Sequence, residues 1–225
     1  MCTFCGVYKD LKPKFWVKDW ETVKRDIDEA SSYGYGFTRA FLADGDVLIL
    51  PIDDILKIMS YIKQKNPEIK HINMYGNTKA ILRKTPEELK ALKNAGLDII
   101  YQGIESGNKD VLRRIRKGAF PERMKEASAK IIESGIKLSQ TVLLGIGGTD
   151  LSFEHARDTG KLLGEYRDWE NSWHSIYNGQ SKPSMRIDQG KRIITPILIN
   201  CSIDNTSFNK MTIIRYNSLP DCLRF

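Results

Sequence analysis

Hydrophobic positions along residues 1–165 alternate between two rhythms. Short apolar runs recur at 39–43, 71–75, 99–104 and 138–144. Runs of this length, bounded by Gly and polar residues, predict buried strands. Between them lie helical patterns. Residues 20–33 place Val23, Ile27 and Ala30 at helical spacing behind a cap at Asp19, and residues 51–66 set Ile55, Ile58, Met59 and Ile62 on one face. Thr85-Pro86-Glu87-Glu88 predicts a capped start: Thr caps, Pro takes the first turn, and Glu88 returns to the cap amide. That helix runs to Ala95 and stops at Gly96. Further helices are predicted over 109–116, 121–134 and 151–164.

Strands therefore recur about every 30–40 residues with helices between them. This β-α rhythm predicts a parallel sheet, either doubly wound and open or part of a β/α barrel. In both architectures ligands gather at the C-terminal ends of the strands. The segments there are Asp44-Gly45-Asp46, Gly76-Asn77-Thr78, Glu105-Ser106-Gly107 and Gly145-Ile146-Gly147-Gly148. Each is polar or Gly-rich, as a site would be. Each also has a plainer reading. Asp44 and Asp46 flank a Gly and suit a turn, and the three glycines suit a tight one. Arg113, Arg114, Arg116 and Lys117 read as a solvated helix face from which one side chain could meet a carboxylate. His71 and His155 read as packing or surface residues, and Tyr75 and Tyr101 as core or barrel lining.

Composition changes this picture at one place. The chain has 225 residues, 41% hydrophobic and 28% charged, which excludes wholesale disorder, a collagen-like chain and a membrane bundle. The average hides a break near Glu165. Residues 1–165 hold ten Ala, six Val and eleven Glu; residues 166–225 hold no Ala, no Val and one Glu, but six Asn and seven Ser. Two compositions are joined there. In the second, strands are predicted at 193–200 and 211–216, and no helix is. The net charge of +7 splits as +4 and +3 across the break (27 Lys/Arg against 23 Asp/Glu, then 8 against 5), so it says little about partners. Basic residues are interleaved with acidic ones, which disfavours a nucleic-acid surface. No run of 18 apolar residues and no leader pattern is visible. The expectation is therefore a chain that does not cross a membrane, in the reducing cytosol.

Cys2-Thr3-Phe4-Cys5-Gly6 is a Cys-x-x-Cys motif. Taken alone, it reads as half of a zinc site without its second pair, as a redox dithiol without the usual strand before it, or as two ordinary cysteines. With a β/α series after it, the motif resembles the radical S-adenosylmethionine (radical SAM) superfamily. That family's signature is Cys-x3-Cys-x2-Cys, commonly with an aromatic residue before the last Cys. Cys2 and Cys5 match the second and third cysteines, and Phe4 the aromatic residue. Phe41-Leu42-Ala43-Asp44-Gly45-Asp46 is similar to the strand end that contacts the methionine amino group. Gly103-Ile104-Glu105-Ser106-Gly107-Asn108 and the following Ile115-Arg116-Lys117-Gly118 resemble a run whose acidic residue lies near the ribose or carboxylate of the cofactor. Val142-Leu143-Leu144-Gly145-Ile146-Gly147-Gly148 resembles the glycine motif beside the adenine.

The resemblance implies an α/β fold, a partial (β/α) barrel lacking the first strand. It implies a [4Fe–4S] cluster with metal ligands Cys2 and Cys5, since soft thiolates suit iron–sulfur centres. It implies S-adenosylmethionine held near Phe4, Asp44, Gly45, Asp46, Glu105, Gly145 and Gly147. The family's reaction is reductive cleavage of that cofactor, which starts radical chemistry on a substrate and needs an electron donor. The substrate is not legible here.

Two departures shape the expectation for this chain. The family's first cysteine would fall three residues before Met1, which leaves two of the three thiolates. Neither Cys201 nor Cys222 is expected to replace it. The resemblance also ends near residue 165, so 166–225 read as a divergent or out-of-frame tail. The alternative to an enzyme is a non-catalytic remnant that binds SAM or a nucleotide.

Overall fold

The computed structural model describes residues 2–4, 17–33, 36–43 and 45–165, together with the strand backbones at 172–178, 183–188, 192–194 and 210–213. Helix α1 (Trp20–Ser32) starts where Asp19 accepts the Thr22 N–H at 2.8 Å and buries Val23 and Ile27. Strand β1 (Arg39–Leu42) and a 3-10 turn (Val47–Ile49) lead into α2 (Ile52–Lys65). That helix has Asp53 and Asp54 in its first turn and Lys63 and Lys65 in its last, the charge order a helix dipole favours. It buries the four residues that its periodicity marks.

Strand β2 (His71–Tyr75) is followed by α3 (Thr78–Arg83), capped by the Asn77 side chain. The sequence pattern missed α3 because six residues are too few to show a period. Helix α4 (Pro86–Asn94) carries the expected capping box: Glu88 N–H to Thr85 Oγ1, 3.1 Å, and Thr85 N–H to Glu88 Oε2, 2.7 Å. Strand β3 (Leu97–Glu105), α5 (Lys109–Arg114), α6 (Pro121–Glu133), β4 (Lys137–Leu144) and α7 (Ser152–Gly164) complete the series.

β1–β4 pair in parallel in the order β4-β3-β2-β1, the expected partial (β/α) barrel. Beyond residue 165 the chain adds β5 (Ser172–Asn178), parallel to β4, and the antiparallel β6 (Pro183–Asp188) and β7 (Arg192–Ile194). It also adds β8 (Lys210–Ile213), parallel to β1 on its outer edge. β7 and β8 overlap the two strands expected there. β5 and β6 were not expected: Ser, His and Asn interrupt the apolar positions of β5, and the alternation of β6 spans only Pro183–Asp188.

Alternation along the strands divides the two sheet faces. Ala40, Leu42, Ile72, Met74, Ile100 and Leu138 face the helices and form the main core with α1, α2, α4 and α6. A smaller core of Ile104, Leu112, Ile115, Met124, Val142 and Leu162 lies under α5, α6 and α7. The opposite face carries Phe41, Tyr75 and Tyr101, whose ring centroids lie 4.8–6.3 Å apart, mostly edge-on. Tyr75 and Tyr101 are thus lining residues. At the N-terminal end of that face Asp98 gathers Arg39, His71 and Lys137 at 3.8, 3.2 and 3.2 Å. Among the described residues no helix is long and apolar enough to cross a membrane.

Candidate functional site

The four strand ends meet along one edge of the sheet. After β1, Gly45 takes φ +124°, a conformation side chains rarely adopt. Asp44 lies outside the described residues. Asp46 is half-buried, and its Oδ2 accepts the Asn77 N–H at 3.0 Å, which ties the end of β1 to the end of β2. Its Oδ1 is buried with no hydrogen-bond partner among the described residues. Burial pushes the carboxyl up to about 6, against the hydrogen bond from Asn77. A carboxylate with one satisfied and one orphaned oxygen is an acceptor awaiting a donor.

After β3 the backbone bulges: register shifts between Gly103 and Glu105, and the Ser106 N–H reaches back to the Ile104 carbonyl at 2.8 Å. Glu105 sits at the bulge with φ +63° and is 6% exposed. Its Oε1 accepts from Lys117 Nζ at 2.8 Å. Lys117 is therefore not part of a solvated face. Arg113 and Arg114 do reach solvent, paired with Asp110 and Asp150.

The rest of the run docks onto α7. Ser106 Oγ meets His155 Nδ1 at 2.8 Å, the Gly107 N–H donates to Thr159 Oγ1 at 2.8 Å, and Asn108 Nδ2 donates to Asp158 Oδ2 at 2.7 Å. Asn108 Oδ1 also caps α5 by accepting the Asp110 and Val111 N–H groups. His155 is buried, and burial lowers its pKa, which favours the neutral ring. Ser106, Gly107 and His155 are accounted for by packing, and Glu105 is the residue of this run left at the site edge.

After β4 the glycines separate into two kinds. Gly145 has φ +77°, and a Cβ there would meet nothing within 4 Å, so its backbone is open to a close approach. At Gly147 a Cβ would lie 2.8 Å from the Leu151 carbonyl and 3.1 Å from the His155 Cβ, so this glycine admits α7. Gly148 has φ +67° and closes a turn by donating its N–H to the Gly145 carbonyl at 3.0 Å. Arg114 holds the loop with two bonds to Asp150, 3.0 and 2.6 Å, which draws that carboxyl down to about 2.

At the chain start Cys2 is a half-buried free thiol and Phe4 is exposed. The Thr3 N–H donates to the Ile115 carbonyl at the end of α5, 2.9 Å. Cys5, Cys201 and Cys222 lie outside the described residues. Among the described residues no group of three or more His, Cys, Asp or Glu could hold a metal ion.

A model of the radical SAM superfamily matches residues 1–163. The chain belongs to the radical SAM superfamily. Solved radical SAM folds resemble it at low identity. The structure described as native anSMEcpe with bound AdoMet matches with a TM-score of 0.60 at 12% identity, covering 85% of this chain and 50% of that one. Coproporphyrinogen III oxidase (HemN) from Escherichia coli, a radical SAM enzyme, matches with a TM-score of 0.57 at 16% identity, covering 79% and 41%. The FeFe-hydrogenase maturase HydG from Carboxydothermus hydrogenoformans matches with a TM-score of 0.55 at 21% identity, covering 83% and 44%. At these identities the likeness concerns the fold, and the chain spans half or less of each solved relative. A search of curated proteins finds no match.

Radical SAM membership implies S-adenosylmethionine and a [4Fe–4S] cluster. The residues present fit the first. The orphaned Asp46 oxygen suits an amino or hydroxyl donor, and the open backbone at Gly145 suits a flat ring. For the second, the described residues supply one thiol, Cys2, and the sequence motif a second, Cys5. Sequence reasoning undervalued Lys117 and did not single out Asn77 as a partner of Asp46. A lysine just past the left-handed residue that ends a helix carries no periodic signal, and a backbone N–H carries none in any sequence.

Proposed function

We propose that this chain binds S-adenosylmethionine along the C-terminal edge of β1–β4, as the cofactor-binding part of a radical SAM enzyme. In this reading Gly45, Asp46 and Asp44 face the methionine amino group, and Glu105 the ribose or carboxylate. Gly145 flanks the adenine, while Gly147, expected beside it, instead gives α7 room behind the loop; Phe4 packs nearby, and Cys2 and Cys5 are cluster ligands. Residues 1–165 form this core, and 166–225 a divergent or out-of-frame tail. Cys2 and Cys5 would hold part of a cluster, which would supply the electron for the family's reductive cleavage of the sulfonium cofactor. A substrate and an electron donor are the partners this requires.

The observation that carries the reading is the family match over residues 1–163, which spans all four strand ends. That match stops two residues before the compositional break at Glu165, which supports the domain boundary.

The test uses the full chain under anaerobic conditions, with and without iron–sulfide reconstitution. Calorimetric binding of S-adenosylmethionine, a reducible [4Fe–4S] signal in electron paramagnetic resonance and release of 5′-deoxyadenosine are the expected results. Equal affinity with and without iron, and no cluster signal, would replace the enzyme by the binding remnant. No binding by the folded chain in either state would overturn both.

A further inference from the structure

We infer that Lys117 is a positioning residue for the S-adenosylmethionine site: it fixes the Glu105 carboxylate at the end of β3, and residues 115–117 tie that carboxylate to the loop bearing Cys2. The inference rests on the proposed binding of that cofactor and adds a residue and a linkage to it.

Backbone strain is concentrated at this pair. Among the described residues, the non-glycine residues with positive φ are Glu105 at +63° and Arg116 at +53°. One carries the carboxylate, and the other immediately precedes the lysine that binds it. Left-handed backbone is unfavourable for any residue with a Cβ, and it recurs where a surrounding structure over-determines it.

The turn at Arg116 has a definite geometry. The Arg116 N–H donates to the Arg113 carbonyl and the Lys117 N–H to the Leu112 carbonyl, both at 3.0 Å. This is the Schellman ending of a helix, with Arg where Gly is usual. It reverses the chain at the end of α5 and sends Lys117 back toward β3. The Ile115 carbonyl takes no part in that reversal and instead accepts the Thr3 N–H at 2.9 Å. Three consecutive residues thus hold the cysteine loop at one end and the Glu105 carboxylate at the other.

Space beneath the pair is kept clear. A Cβ on Gly103 would press on Glu105 Oε1 and lie 3.0 Å from Lys117 Nζ. The side chains of Lys117 and Glu105 are 14% and 8% exposed. A buried ion pair is a weak device for stability, since apolar residues of similar volume serve as well. Two strained residues and a reserved glycine are more than packing needs. They are what a carboxylate held in one orientation needs. Lys117 engages Oε1, and Oε2 has no hydrogen-bond partner among the described residues.

The test is calorimetric titration of the full chain with S-adenosylmethionine, using Lys117→Met, Lys117→Arg and Gly103→Ala, with circular dichroism to confirm folding. Lys117→Met is expected to weaken binding about tenfold or more, the scale on which supporting partners of a site act. Lys117→Arg, which keeps the charge, is expected to restore most of the loss at an equal thermal midpoint. Gly103→Ala keeps both charges but displaces the pair, so it is expected to weaken binding as well, and it decides the matter if Lys117→Met does not fold. Wild-type affinity in a folded Lys117→Met or Gly103→Ala overturns the inference alone. A wild-type chain that binds no S-adenosylmethionine overturns the proposed function, and this inference with it.

Discussion

Asp46 and His155 both resist charging, and they bend the stability of the protein in opposite directions. Burial raises the Asp46 carboxyl from its ordinary 3.8 to about 6. Between those values the folded chain keeps a proton that the unfolded chain has released, so stability falls as pH rises through that window. His155 is shifted the other way, below its ordinary 6.5, chiefly by burial. As pH drops below 6.5 the unfolded chain takes up a proton that the folded chain refuses, so stability falls on the acid side. Asp46→Asn is expected to remove the first slope and raise the urea midpoint at neutral pH. His155→Gln is expected to remove the second. Urea titrations across pH 4 to 8 check both, and an unchanged slope in Asp46→Asn would refute the assignment. Asp46 was legible in the sequence as an acid at a strand end. Its orphaned oxygen was not, because the half-burial comes from the packing around β1 and β2.

The helices show where local pattern suffices and where it stops. The α4 capping box was readable because all its members lie within four residues. The segment Glu105-Ser106-Gly107-Asn108 was readable as a strand end, but its job as a clamp on α7 was not, because its partners lie about fifty residues on. Gly107 is the tightest point of the clamp. A Cβ there would come within 3.0 Å of backbone atoms of Asp158 and Thr159, and a helix backbone cannot step aside as a side chain can. Gly107→Ala is expected to cost about 1–3 kcal/mol, the usual range for overpacking, and to loosen α7 first. Hydrogen exchange would then rise along α7 while α2 stays protected. Uniform protection in both helices would contradict the clamp. Lys117 belongs to the same lesson: it lies twelve residues from Glu105 in sequence, and only the reversal after α5 brings the two together.

Across the whole molecule, one polar network joins the sheet to its helices. Gln102 and Gln140, on adjacent strands, and Ser128 of α6 are all fully buried. Gln102 Oε1 accepts from Ser128 Oγ and Gln140 Nε2, both at 3.0 Å, and Gln102 Nε2 donates to Thr78 Oγ1 of α3 at 3.3 Å. Removing Gln102 leaves a cavity and strips partners from three elements at once. Gln102→Ala is expected to destabilise the chain by about 2–4 kcal/mol. The urea midpoint should fall while the denaturant slope is unchanged, and a loss below about 0.5 kcal/mol would show that the network carries no weight.

The order of elements through α7 apart from the short α3, the parallel sheet and the identity of the strand-end residues were determined by the sequence itself. Apolar periodicity, caps and glycine punctuation act over a few residues, and the cysteine motif with its following runs is a linear signature. Three matters were decided by the tertiary structure alone. It separated Gly145, open to a ligand, from Gly147, taken up by α7. It gave Glu105 its partner in Lys117. It also set β5 beside β4 and β8 beside β1, at the two edges of the four-stranded core. Each depends on contacts between residues far apart in the chain, and such contacts exist only once the sheet has formed and its edges and faces have been filled.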